Sequence, residues 1–128
     1  MIWRTLTTRG GLTLPVVGLS GVLRAEAFET GRELGRACAE GSSVEQMLEQ
    51  TRCFGYIQGF LDAYQLSMAV MARQAPRAQQ PFCLPPRGAQ VGQVRALVLD
   101  WLKRHPTDHG QSARIVLFSV MSTVYPCH

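Results

Sequence analysis

Apolar residues recur at helical spacing in four segments of the chain, and the alternation typical of β-strands is almost absent. Positions three, four and seven apart lie on one face of an α-helix, so the pattern predicts helices over residues 29–39, 43–73, 89–104 and 110–124. The predicted fold class is all-α, a small helical bundle in which a long helix precedes a helical hairpin. With 128 residues, 46% of them hydrophobic, the chain can form one domain with a modest core.

The long second helix has a predicted start and a predicted buried seam. Ser42 and Glu45 have the spacing of a capping box, in which a hydroxyl and a carboxylate satisfy free amide groups at the helix start. Apolar residues then recur at seven-residue spacing in two interleaved sets: Met47, Phe54, Leu61 and Met68, and Ile57, Tyr64 and Met71. This repeat predicts a stripe buried against neighbouring helices.

The last two helices each have one apolar face. The residues expected to be buried are Val91, Val94, Leu97, Val98, Trp101 and Leu102 in the third helix, and Ala113, Val116, Leu117, Val120, Met121 and Val124 in the fourth. Pro106 ends the third helix, and Asp108 with Gln111 indicates the start of the fourth. Residues 75–88, which precede both helices, contain four prolines and are predicted to form an extended connector.

Gly55, Gly59 and Ala63 lie one turn apart on the long helix and form a row of small residues. Each glycine costs a helix about 0.5–1 kcal/mol relative to alanine, so close packing against another helix has to offset that loss. The row therefore predicts a close helix–helix contact rather than a catalytic site. Asp62 has no titratable partner nearby in sequence, and we interpret it as a surface carboxylate or a cap for a neighbouring segment.

The first 27 residues have the features of a signal peptide. Arg4 and Arg9 precede a mildly apolar run at residues 12–23, and Ala25-Glu26-Ala27 has the small-x-small pattern that a signal peptidase accepts. Cleavage there would leave residues 28–128 as an exported domain. No run of eighteen apolar residues is present, so no membrane span is predicted.

The exported domain contains four cysteines, Cys38, Cys53, Cys83 and Cys127. An even number of cysteines in a small exported chain predicts two disulfides. The alternative is a zinc site that also uses His105, His109 or His128. No two cysteines have the C-x-x-C spacing that zinc sites usually need, so disulfides are favoured and neither a metal nor a cofactor is expected.

Five ordered motifs resemble those of the Rap/Tai-type immunity proteins associated with type VI secretion. The motifs are Gly31-x-x-Leu34-x-x-x-Cys38, Cys53-x-Gly55-Tyr56-Ile57-x-Gly59-x-x-Asp62-Ala63, Phe82-Cys83-x-Pro85, Trp101-Leu102-x-x-His105-Pro106 and Tyr125-Pro126-Cys127. The resemblance covers residues 29–127 and implies structural roles for these positions. Two departures are Tyr125 in place of phenylalanine, and Gly88-Ala-Gln where a Thr or Ser more often caps the third helix.

The resemblance implies an all-helical periplasmic domain, often a homodimer, that has no activity of its own. Such a domain would bind a peptidoglycan amidase and block its active-site cleft. The exposed candidates for this contact are two segments, the connector with Arg73, Gln74, Arg77, Gln79, Gln80 and Arg87, and the turn with His105, Asp108 and His109.

Two disulfide pairings are open. The third and fourth helices are predicted to be antiparallel, which brings Cys83 near Cys127 and leaves Cys38 to pair with Cys53; this set is favoured. Its difficulty is that Cys53 lies about 15 Å along the long helix from residue 43. Cys38 would then have to reach back by an extended path. The alternative set is Cys53–Cys83 with Cys38–Cys127.

Two other classes of function stay open. A periplasmic chaperone would expose apolar surface in acid, but three histidines and few carboxylates are available to drive that change. A cysteine enzyme would need a free thiol beside His105 or His109, which a count of free thiols would reveal. Nucleic-acid binding is not indicated, because the net charge of +4 is spread over scattered arginines and one lysine.

Overall fold

The computed structural model describes residues 28–128, so the segment interpreted as a signal peptide lies outside the described residues. It contains the α-helices α1 (Gly31–Cys38), α2 (Val44–Gln74), α3 (Val91–Arg104) and α4 (Ala113–Val124), and a 3₁₀ turn at Pro106–Gly110. Across residues 28–128 no strand forms, and no helix combines the length and apolar character that a membrane span needs. The all-α prediction is confirmed, with helix boundaries that differ from the predicted ones by three residues or fewer.

Helix α1 is the central element of the bundle. Thr30 caps it, since its Oγ1 accepts a hydrogen bond from the Glu33 amide at 3.2 Å, while the Glu33 carboxylate accepts one from the Glu29 amide at 3.0 Å. These two bonds satisfy amide groups that a helix start would otherwise leave free. Leu34 and Ala37 are fully buried, and α1 contacts each of the other three helices.

The glycines of α1 allow close contacts with the neighbouring elements. A Cβ at Gly31 would lie 2.5 Å from the carbonyl oxygen of Asp108 and 2.9 Å from a methyl group of Val116. A Cβ at Gly35 would lie 2.8 Å from a methyl group of Leu102. These two positions, four residues apart, therefore let α3, the 3₁₀ turn and α4 approach the α1 backbone.

Within one copy of the protein, the predicted close contact at Gly55 and Gly59 is not formed. A Cβ at either position would meet nothing within 4 Å, and both residues are exposed, as is Ala63. The row of small residues points away from the bundle. The physical reason is that α2 buries the opposite side of its circumference, where Cys53 and Ile57 lie.

Helix α2 begins one residue later than predicted. Its cap is Ser43, whose Oγ accepts from the Gln46 amide at 3.1 Å, so the capping box expected at Ser42 and Glu45 is not formed. The side chains of Gln46 and Gln50 both donate to the Ala39 carbonyl, at 2.7 and 3.1 Å. These amides hold the short segment between α1 and α2 against the first two turns of α2.

The predicted seam on α2 is buried only near the middle of the helix. Ile57 and Leu61 are buried, whereas Met47, near the start, is 58% exposed and Met71, near the end, is 39% exposed. A helix of 31 residues is about 46 Å long, whereas α3, with 14 residues, is only about 21 Å long. Both ends of α2 therefore extend beyond the core. The periodicity of the sequence alone could not show which turns of α2 the other elements cover.

The predicted faces of α3 and α4 are largely confirmed. Val94, Val98 and Leu102 of α3 are buried, and so is every predicted residue of α4 except Val124, which is 41% exposed. Ser112 caps α4 through its Oγ, in place of the start signal expected at Asp108. At the start of α3, the side chain of Gln90 makes no capping hydrogen bond. This agrees with the absence here of the Thr or Ser that more often caps this helix in the family.

Candidate partner-binding surfaces

Two disulfides fix the ends of the bundle. Cys38 pairs with Cys53 across a Cα–Cα distance of 5.2 Å, and Cys83 pairs with Cys127 across 4.9 Å. This is the favoured pairing, and the chain turns into an extended conformation at Ala39, directly after Cys38, which gives it the path back along α2. All four cysteines of the chain are bonded to each other, so none of them is a zinc ligand or a thiol nucleophile in this structure.

The connector between α2 and α3 is anchored by a buried aromatic residue. Phe82 is fully buried, with its ring stacked on Tyr64 at a centroid distance of 3.8 Å and edge-on to Phe118 at 6.0 Å. The Tyr64 hydroxyl donates to the Phe82 carbonyl and accepts from the Phe82 amide at 3.2 Å. The next residue, Cys83, donates its amide to the Tyr125 carbonyl at 2.8 Å and carries the disulfide. The connector therefore has a rigid base.

The predicted contact residues of the connector are exposed on both sides of this base. Arg73 lies in the last turn of α2, Arg77 lies in a turn closed by the Ala78 amide on the Ala75 carbonyl, and Arg87 lies in the turn before α3. That second turn is closed by the Gly88 amide on the Pro85 carbonyl at 2.7 Å, and Gly88 has a φ of 76°, which favours glycine. Three guanidinium groups are thus presented by ordered backbone.

The turn at residues 105–109 is occupied by contacts within the protein. His105 stacks on the Trp101 ring at 3.9 Å, and its Nδ1 lies 2.9 Å from the Trp101 carbonyl oxygen. Asp108 accepts a hydrogen bond from the Trp101 indole at 2.7 Å, and His109 Nε2 lies 3.0 Å from the Leu102 carbonyl oxygen. These side chains pack the turn against the end of α3; the Trp101 carbonyl also accepts the His105 amide, at 2.8 Å, and His109 reaches the Leu102 carbonyl.

Other motif residues also have clear structural positions. Ile57 is buried, Pro85 belongs to the turn before α3, and Pro126 follows the residue that bonds Cys83. Tyr56 is half-buried with its ring edge-on to Phe28 at 5.3 Å. Burial raises the pKa of the Tyr56 hydroxyl above its ordinary value, while the charge of Arg114 acts in the opposite direction.

Asp62 is exposed and accepts a hydrogen bond from the Gln58 side chain at 2.8 Å, one turn earlier on α2. This geometry agrees with its interpretation as a surface carboxylate.

A groove between α1 and α3 was not predicted from the sequence. It has a volume of about 740 Å³, and its lining includes Leu99 and Leu102 together with Arg32, Arg36, Glu40 and Lys103. The signal that could have revealed it is the spacing of the two arginines, which lie one turn apart on a short helix with an apolar opposite face.

Arg95, also missed, anchors the end of α1. Its Nε donates to the Cys38 carbonyl at 2.6 Å, and its guanidinium lies 5.9 Å from the Phe54 ring. A cation beside the last carbonyls of a helix is favoured by the helix dipole. One of its terminal nitrogens, Nη2, is buried without a hydrogen-bond partner among the described residues.

The architecture is that of a small helical bundle linked by two disulfides, in which all four cysteines are bonded. Over residues 30–127, which include all four helices, the chain matches the family model of the Rap1a immunity proteins. The protein therefore belongs to the Rap1a immunity protein family, and the resemblance read from its motifs is confirmed at that level. Comparisons with curated proteins and with solved structures found no match. Immunity proteins bind an effector partner and are generally not enzymes.

Proposed function

We propose that this protein neutralises a peptidoglycan amidase delivered by type VI secretion, and that it does so in the periplasm by covering the active-site cleft with its connector. The observation that carries the proposal is the anchoring of the connector at Phe82 and Cys83, on either side of which exposed arginines are presented. A segment that is ordered before binding loses little conformational entropy when a partner closes over it.

The choice of the connector over the turn at residues 105–109 follows from the contacts of each. His105, Asp108 and His109 are engaged with α3, so they would have to give up hydrogen bonds to reach a partner. The side chains of Arg73 and Arg77 are exposed and make no such contacts within the described residues. Reaching a partner through the connector therefore costs fewer internal interactions.

A periplasmic location is supported by the two disulfides. Bridges persist in oxidising compartments and are rare in the cytosol, where thiols are kept reduced. The segment interpreted as a signal peptide would provide the export that this location requires. Fractionation of cells that express the full chain tests the location, since a protein with four free thiols recovered from the cytosol would contradict it.

The amidase proposal is tested by measuring whether the protein inhibits peptidoglycan hydrolysis by any amidase encoded beside its gene. We expect stoichiometric inhibition by the wild-type protein. The double variant Arg73→Glu, Arg77→Glu should bind the amidase at least about tenfold more weakly, because both charges at the contact are reversed. Isothermal titration calorimetry measures the change.

Each single variant, Arg73→Glu or Arg77→Glu, should also weaken binding, and its matched control is Arg114→Glu, which makes the same change of charge at the start of α4, where a carboxylate is favoured by the helix dipole. This variant should inhibit as well as the wild type. Equal weakening by Arg114→Glu would show that net charge, not the connector, governs binding. Failure of the wild-type protein to bind any neighbouring hydrolase would remove the amidase assignment.

We also propose that the protein forms a homodimer through the outward face of α2, where two copies of the helix pack antiparallel. Large apolar residues on this face are exposed at both ends of the helix, with Leu48 at 62% and Leu66 at 67%. Gly55 and Gly59 lie between them and leave room for a second helix. Among the described residues nothing covers this face.

The residues of this face are placed symmetrically about Ile57. Val44 and Val70 are equally distant from it along the helix, as are Leu48 and Leu66, and Gly55 and Gly59. In a two-fold symmetric antiparallel contact centred on Ile57, a residue meets the residue of the other copy that lies equally far on the opposite side of Ile57. An antiparallel pair centred here would therefore place leucine on leucine, valine on valine and glycine on glycine.

Arg52 and Asp62 are also equally distant from Ile57 and would come near each other across the pair, although Arg52 also pairs with Glu49 at 2.8 Å within each copy. Opposite charges at these two positions favour the antiparallel register and disfavour a parallel one, which would place like charges together.

A charge-swap experiment tests the dimer. Sedimentation velocity should show a dimer for the wild type and monomers for Leu48→Lys or Leu66→Glu alone, because each change places charges in an apolar contact. The double variant Leu48→Lys, Leu66→Glu should recover the dimer, since each lysine would meet a glutamate of the other copy. A double variant that stays monomeric, or a monomeric wild type, would argue against this interface.

A further inference from the structure

The groove between α1 and α3 is formed by the outward sides of two antiparallel helices. The start of α1 lies against the end of α3, since a Cβ at Gly35 would touch Leu102, and the end of α1 lies against the start of α3, where Arg95 bonds the Cys38 carbonyl. One wall carries Arg32 and Arg36, one turn apart on α1. The other wall carries Lys103 of α3, and apolar side chains lie between the walls.

Charge in this groove is not balanced within the protein. Arg32, Arg36 and Lys103 are exposed, and no described residue forms an ion pair with any of them. This distinguishes them from the neighbouring Arg104, which pairs with Asp100 at 2.6 Å. The groove contains one carboxylate, Glu40, just beyond the end of α1. Three cations and one anion leave an excess of positive charge over the floor.

The floor of the groove is apolar and narrow. Leu99 is half-buried and Leu102 is almost fully buried, and Gly35 brings the α1 backbone close to them. Cationic walls over an apolar floor suit an extended peptide that alternates carboxylates with an apolar side chain. The carboxylates would contact the guanidinium and ammonium groups, for which bidentate pairing with arginine is strong, and the apolar side chain would cover the leucines.

From this arrangement we propose that the groove is a docking site for an acidic peptide segment of a partner protein, with one apolar side chain of leucine size seated on Leu99 and Leu102. The position of Glu40 gives the site a direction, because the carboxylates of the segment would be repelled from that end and held near Lys103. The site is distinct from the connector, which adjoins the opposite end of α3. It does not depend on the partner of the connector being an amidase.

Fluorescence anisotropy with a short labelled peptide of aspartate and glutamate around a single central leucine tests the proposal. We expect saturable binding that weakens as salt is raised towards about 0.15 M, where charges are screened over about 8 Å. A peptide with alanine in place of the leucine should bind more weakly at every salt concentration, because it leaves the floor uncovered.

Two charge reversals locate the site. Arg36→Glu should weaken binding of the leucine peptide at least about tenfold, whereas Arg77→Glu, the same change on the connector, should leave it unchanged. Both residues are exposed, so both variants should keep the wild-type circular dichroism spectrum. Equal weakening by the two variants, or equal affinity for the leucine and alanine peptides, would reduce the binding to non-specific attraction and overturn the proposal.

A floor variant provides an independent readout. Leu99→Gln keeps all charges, so it should remove the preference for the leucine peptide over the alanine peptide while preserving the dependence on salt. A preference for leucine that persists in this variant would place the apolar contact elsewhere and contradict the proposed site.

Discussion

Replacing Phe82 with alanine is expected to lower the free energy of unfolding by about 3–5 kcal/mol, the range for removing a fully buried aromatic ring. The ring fills space between Tyr64 of α2 and Phe118 of α4, so its loss would leave a cavity between two helices. It would also free the connector from its base. Urea denaturation followed by circular dichroism measures the change.

The control for this variant is Phe54→Ala, which removes the same ring from a site that is 38% exposed. Its expected cost is well below that of Phe82→Ala, because solvent can fill part of the space. Tyr64→Phe separates the contribution of ring stacking from that of hydrogen bonding, since it keeps the stacked ring and removes the hydroxyl that bonds the Phe82 backbone. Equal costs for Phe82→Ala and Phe54→Ala would show that Phe82 is not the anchor.

Replacing Gly31 with alanine is expected to destabilise the protein by about 2–3 kcal/mol, towards the upper end of the range for overpacking a core. The added Cβ would lie 2.5 Å from the Asp108 carbonyl oxygen, which is a backbone atom and cannot rotate away. Either α1 or the 3₁₀ turn would have to move. Thermal and urea unfolding should both report the loss.

Gly55→Ala is the matched control and should have the opposite sign. Its Cβ would enter open space in the interior of a long helix, so alanine should stabilise the folded state by about 0.5–1 kcal/mol through its higher helix propensity. The measurement is made at protein concentrations where the wild type is monomeric, because the same face is proposed as the dimer contact. Loss of stability in Gly55→Ala but not in Gly31→Ala would reverse the assignment of the close contact.

Much of the fold could be predicted because α3 and α4 carry short, strongly periodic apolar faces. Val94, Val98 and Leu102 recur at spacings of four and are buried as expected. The disulfide pairing also followed from simple geometry, since antiparallel helices of similar length bring Cys83 and Cys127 together. In each case the position of a residue along its own helix also determines what it contacts in the folded bundle.

The errors have a common physical origin. Gly31 and Gly55 both begin a pair of glycines four residues apart, and the sequence does not show which pair is covered by another element. The prediction for the ends of α2 failed for the same reason, because burial depends on what lies opposite a residue. The groove between α1 and α3 is formed by two helices that are separated in the sequence by the whole length of α2, so no local pattern indicates that they meet.

Both bridges join cysteines that are neighbours in chain order, the first with the second and the third with the fourth. For a polypeptide that enters an oxidising compartment from its N-terminus, Cys38 meets Cys53 before Cys83 and Cys127 have emerged. Oxidation in order of appearance then yields the native links directly. In such a sequence of events neither bridge has to form by reshuffling of mispaired sulfurs.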